Sequence, residues 1–108
     1  MTVEQAQFIV VTGRTDPAEE GGFVSYCPEL EVASQGESID EAIENLKDAI
    51  ATFIETLLEL GDWQDFLNKH NLEVLYEPPS GHSKKVEIAP GETISALVAV
   101  MTAGRVAV

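Results

Sequence analysis

The sequence predicts an α+β domain: a three-stranded antiparallel meander, a long helix and then a fourth strand, with an apolar C-terminal extension. Three observations carry this expectation. Short β-branched and aromatic runs recur up to residue 36, joined by links of hairpin length. At residue 39 the apolar period changes from two to between three and four. A chain of 108 residues, 44% hydrophobic and 23% charged, is long enough for one core and too ordinary in composition for wholesale disorder.

The elements follow in order. "QAQFIVVT" (5–12) is dense in strand-forming residues and predicts a first strand. "GRTDPAEEGG" predicts a polar loop, and "FVSYC" alternates as a second strand that Pro28, lacking a backbone donor, should end. "LEVASQ" predicts a third strand closed by Gly36. Ser38 lies three residues before Glu41, the spacing at which each side chain can satisfy a free backbone donor near the other. Apolar residues at Ile39, Ala42, Ile43, Leu46, Ile50 and Ile54 then share one helix face. Gly61 should end the helix, giving about 22 residues, or roughly 33 Å. Asp62 can cap a short helix through "WQDFLNKH", and "NLEVLYE" predicts the fourth strand. "PPSGHSKK" predicts a linker and "VEIAP" a further strand. "ISALVAVMTA" is either a buried strand or a short helix, with Ile94 and the valines favouring strand. This divides the chain into residues 1–77 and an extension, 78–108, that is expected to form strands.

Both faces of the early strands carry apolar groups. Phe23 and Cys27 point one way, Val24 and Tyr26 the other. One helix covers one face. The second face requires another copy, a different protein or the apolar tail, and a homodimer or higher homo-oligomer is the first expectation.

Charge narrows the function. Nineteen acids against six bases give a formal net charge of -13, which repels nucleic acid and anionic membranes and draws in a basic protein. The first residues lack a signal-peptide pattern, and no apolar run approaches the ~20 residues that span a bilayer. The single Cys27 forms no internal disulfide, so a cytoplasmic location is expected.

Nothing in the sequence argues for an enzyme. Asp40, Glu41 and Glu44 occupy the first turns of the helix, where acids favour its positive end. The centre of the first strand, Ile9 to Val11, carries no carboxylate for a two-metal nuclease. His70 and His82 lack metal-ligand spacing, Cys27 sits in an apolar strand near acids, and Gly21-Gly22 forms no phosphate-cradling motif. No cofactor and no metal are expected. Tyr26, Pro28 and Leu30 instead form an apolar ridge flanked by Glu29, Glu31 and Glu37. That is either an interface anchor with a charged rim or simply packing under the helix.

The segment "GGFVSYCPELEVASQGESIDEAIENLKDAIATFIE" resembles the core of the HicB-like antitoxin family. The matching features are the strand into a Pro28-Glu29-Leu30 turn, the Gln35-Gly36 pair, the helix start from Ser38 to Ala42 and the Glu44-Asn45-Leu46-Lys47 turn. The resemblance covers roughly residues 5 to 77. It implies a partial ribonuclease H-like fold without nuclease activity, with the fourth strand beside the first. It also implies a small basic RNA-cleaving toxin of HicA type as the partner, occluded on binding. Tyr26, Glu29, Leu30, Glu31, Glu37, Asp40 and Glu41 are then the candidate contact residues. The chain departs from many members after residue 78, where Lys84, Lys85 and Arg105 are the bases and no basic recognition helix follows. Direct nucleic-acid binding is therefore not expected, and the tail is left to complete the sheet or an oligomer. The alternative is a stand-alone oligomeric scaffold of the same fold without a toxin.

Overall fold

A computed structural model describes residues 5–79, 85–102 and 105–108. The strands are β1 (Gln7–Pro17), β2 (Phe23–Cys27), β3 (Val32–Gly36), β4 (Lys85–Ala89), β5 (Glu92–Thr102) and β6 (Arg105–Ala107). Helices α1 (Ile39–Leu60) and α2 (Trp63–His70) lie between β3 and β4 in the chain. The fold is α+β. The sheet runs β3-β2-β1-β5-β4, with β6 beside β5, and every pairing between the strands is antiparallel.

The meander forms as the alternation requires, but β1 is longer than the sequence suggests. It continues through "GRTDP" to Pro17, because β5 pairs with it from Gln7↔Met101 to Thr15↔Thr93 and β2 from Arg14↔Tyr26 to Pro17↔Phe23. A partner strand satisfies backbone groups that local polarity alone would assign to a loop. Gly13 lies close under the core: a Cβ there would sit 3.0 Å from Leu97 Cδ1 and 3.3 Å from Leu46 Cδ2, so those leucine side chains would have to shift. The loop contracts to residues 18–22, where Gly21 and Gly22 take the left-handed φ values 101° and 73°.

Helix α1 has the expected boundaries. Ser38 Oγ accepts from Glu41 N–H at 3.1 Å, and Gly61, at φ 73°, ends it with N–H bonds back to the last turn. Asp62 precedes α2, but its side chain makes no capping bond; its carbonyl accepts from Phe66 N–H at 2.9 Å. The apolar stripe of α1 (Leu46, Ile50 and Ile54, all 0% exposed) packs on Ile9, Val11, Leu97 and Ala99 of the sheet. Truncating a side chain such as Leu46 to alanine there costs about 2–5 kcal/mol.

Two segments differ from their sequence reading. "NLEVLYE" contributes one antiparallel bridge, Leu75 with Phe8, through two 2.8 Å bonds, in place of a full strand. The long strand beside β1 is β5, from the apolar tail. Its odd residues Leu97, Ala99 and Met101 enter the same core as α1, so the tail completes the sheet and does not fold back over its second face. His82 and Lys84 lie outside the described residues.

Candidate partner-binding surface

The turn after β2 positions the first group of predicted contact residues. Pro28 ends the strand, and the chain turns through residues 28–31 with Glu31 at φ 54°, a left-handed conformation unusual for a glutamate. This turn directs Leu30 inward, where it is 2% exposed and belongs to the core. Leu30 is thus unavailable as a surface anchor, and the reading in which it packs under the helix holds. Glu29 also turns toward the protein. Its carboxylate accepts the Thr12 N–H, with both oxygens at 3.0 Å, and the Thr12 hydroxyl at 2.8 Å. The reason is topological: β2 pairs with β1 only over Arg14–Pro17, so the β1 edge at Thr12 lacks a strand partner on that side. A carboxylate supplies the missing acceptor. Glu29 is therefore a structural plug more than a rim charge.

The buried thiol of Cys27 lies beside it, with Sγ 3.7 Å from Glu29 Oε1. Burial pushes this thiol up to about 11, and the neighbouring Glu29 charge adds to the shift. A thiol so protonated at neutral pH is a packing group.

Glu37, Asp40 and Glu41 remain exposed at the start of α1. The Glu41 carboxylate reaches back to accept Glu37 N–H at 3.3 Å, one residue before the capping position the sequence suggests. Tyr26 is 42% exposed but stands on the opposite face of the sheet, beside Ala33 and Arg14. The predicted ridge is therefore divided: Leu30 in the core, Tyr26 on the uncovered sheet face, and the carboxylates at the helix start.

Those carboxylates border an open groove of about 880 Å³. The β1–β2 loop, from Ala18 to Gly22, forms one wall; Ser34 to Glu37, with Glu41 and Asn45 of α1, forms the other. Glu20, Glu37 and Glu41 line it and no basic side chain does. Close packing of the backbone shapes it. A Cβ at Gly36 would lie 2.5 Å from the Ala42 nitrogen, and one at Gly22 would lie 2.8 Å from the Gly36 oxygen. Asn45 Nδ2 donates to the Gln35 carbonyl at 2.7 Å and fixes the end of β3 against the helix. Glu20 and Asn45 were not among the candidate contact residues. The Gly21-Gly22 pair was the available signal, and its function is to let the loop approach β3.

Among the described residues no group of three or more His, Cys, Asp or Glu side chains is placed to hold a metal ion, and His70 stacks on Phe66 with ring centroids 4.1 Å apart. Among them, too, no helix is long and apolar enough to cross a membrane.

Among curated proteins, the chain is 37% identical over 59 residues to the UPF0150 protein ssr1765 of Synechocystis sp.; that stretch is 54% of this chain and 75% of the relative. No family profile matches the chain. No solved structure matches it.

Proposed function

The chain belongs to the UPF0150 family, and on that premise we propose that it is a non-catalytic, cytoplasmic binding protein that sequesters a small basic RNA-cleaving toxin of HicA type. The observation that carries this reading is the groove at the start of α1. It is open, lined by Glu20, Glu37 and Glu41, and lacks a basic side chain in its lining. A chain of net charge -13 raises the local concentration of a cationic partner and speeds its approach. The groove offers lysine or arginine side chains the carboxylates of Glu20, Glu37 and Glu41. Asp40 and Glu44, on the first turns of α1, extend the acidic surface. Resemblance of residues 21–55 to the HicB-like core supports the choice of partner. Covering a nuclease's cationic RNA surface would inhibit it without any chemistry by the binder.

The test is co-expression with a small basic protein encoded beside the gene, followed by purification and a growth assay. A stoichiometric complex that suppresses toxicity is expected. The triple substitution Glu20→Gln, Glu37→Gln, Glu41→Gln should weaken the complex about tenfold or more and flatten its salt dependence. Unchanged binding and salt slope would remove the groove from the interface. The alternative reading, an oligomeric scaffold without a toxin, is favoured by one observation, the uncovered apolar face of the sheet; isolation of a homo-oligomer with no partner would support it.

A further inference from the structure

Helix α1 covers one sheet face, and among the described residues the opposite face is left to solvent. Register aligns Ala33, Tyr26, Arg14, Ile94 and Val86 in one row across β3, β2, β1, β5 and β4. Val10 pairs with Val98 in a second row, and Val24 stands beside Tyr26's strand neighbours on the same face. Val10, Val24, Tyr26, Ile94 and Val86 are 45%, 39%, 42%, 36% and 56% exposed. Single exposed apolar residues are ordinary, but Tyr26 with Val24, Ile94 with Val86, and Val10 with Val98 gather on one face around Arg14 and Asp16, and such a concentration marks a contact surface. With strands ~4.8 Å apart and ~3.3 Å per residue, the face spans on the order of 600 Å². That approaches the ~800 Å² per partner of a standard protein interface.

Charge identifies the occupant. The chain has two arginines, Arg14 and Arg105, and the register places both on this face. Asp16 and Glu92 share it, and Arg14 Nε lies 2.9 Å from Asp16 Oδ2. In a chain of net charge -13, this surface is therefore close to neutral and bears both signs. A basic partner is suited by the groove, not by arginines. A second copy is suited by a patch carrying both signs, because across a twofold axis a contact of residue i with residue j occurs twice, so one pair of opposite charges is matched on both sides. Contact here also keeps the acidic surfaces of α1 apart and pointing outward, which limits the repulsion between two strongly acidic chains.

We infer that two copies of this chain pair face to face through this sheet surface, with Tyr26, Val24 and Ile94 at the centre and Arg14 of each copy meeting Asp16 of the other. The pair would present two outward-facing grooves. This inference stands apart from the identity of the basic partner, because it concerns the opposite face.

Sedimentation of the full chain over a wide concentration range tests it. A reversible dimer is expected, and Tyr26→Asp with Ile94→Asp should weaken it about 100-fold or more while the far-ultraviolet dichroism is retained. Leu60→Asp, at an exposed site on α1, should leave the dimer unchanged. Arg14→Glu and Asp16→Arg should each weaken self-association, and mixing the two variants should restore a heterodimer, a result that only a contact between copies produces. Should the double aspartate variant lose its dichroism, the charge-swap mixture still decides the matter. A monomer at every concentration, a dimer indifferent to these variants, or a face protected only when a basic protein is added would overturn the inference. None of these outcomes affects the groove variants, which report separately on partner binding.

Discussion

The Glu29 carboxylate closes the open edge of β1 by accepting the backbone N–H of Thr12, 3.0 Å from each of its oxygens, across 17 residues of chain. This bond joins the turn after β2 to the strand at the centre of the sheet. It turns a residue that reads as a surface acid into part of the fold. Glu29→Ala leaves the part-buried Thr12 N–H and hydroxyl without this acceptor, and should lower stability by about 1–3 kcal/mol in denaturant titration. Glu31→Gln, at an exposed position on the same turn, should stay within about 0.5 kcal/mol. Equal effects at the two positions would mean that Glu29 carries no structural load.

Buried hydroxyls provide a second contrast. Register sets Ser25, Thr15 and Thr93 side by side on the helix face of β2, β1 and β5. Thr15 Oγ1 and Ser25 Oγ are bonded at 2.9 Å, whereas Thr93 Oγ1 has no hydrogen-bond partner among the described residues. Thr15→Val should cost about 1–3 kcal/mol, because it orphans the Ser25 hydroxyl in the core. Thr93→Val removes a group already unsatisfied and should be neutral or stabilising by up to about 1 kcal/mol. Melting temperatures of the two valine variants, measured side by side, check the sign of each.

Gly36 permits the contact between β3 and α1. Alanine there would drive its Cβ to 2.5 Å from the Ala42 nitrogen, a backbone atom that cannot yield alone. Overpacking of this kind costs about 1–3 kcal/mol or more, and it should also widen the groove. Gly21→Ala meets no atom within 4 Å but must hold φ at 101°, so its cost should be near 1 kcal/mol and confined to the loop. Hydrogen exchange across residues 34–45 separates the two: Gly36→Ala should raise it, Gly21→Ala should not.

Cys27 should be inert in the native state. A thiol pushed up from 9.0 to about 11 by burial has roughly 100-fold less thiolate at neutral pH, and its sulfur is also covered. Labelling with a thiol reagent should be slow in the folded protein and rapid in denaturant. The sign of the pH effect follows from linkage. Above the unfolded pKa the unfolded chain loses the thiol proton while the native chain keeps it. Stability is therefore fully present below about pH 9 and declines as pH rises toward about 11. Cys27→Ala should remove that component of the decline, and an identical alkaline profile in the variant would assign it elsewhere.

Helix α1 was legible because its signals are local. Ser38, Glu41 and Gly61 act within one turn of themselves, and the Leu46, Ile50 and Ile54 stripe repeats at a spacing only a helix can bury. The meander was legible for the same reason, through alternation and the turn residues Pro28 and Gly36. The overall charge and the apolar second face of the strands were likewise present in composition and pattern. Contacts between distant segments were not. The extension of β1 as far as Thr15 is paired with β5, about 80 residues on, and its last two residues pair with β2. Likewise, Leu75 bridges Phe8 on the edge of β1 opposite β5, a pairing between segments far apart in the chain that stops at one bridge in place of a fourth strand. The candidate site divides along that line: a spacing rule places Glu37, Asp40 and Glu41 at a helix start, but cannot show that Glu29 turns inward, that Leu30 is core, or that Glu20 joins the groove. Those outcomes follow from which backbone edges remain unpaired once all the strands are assembled, and a residue's immediate neighbours in sequence hold no record of that.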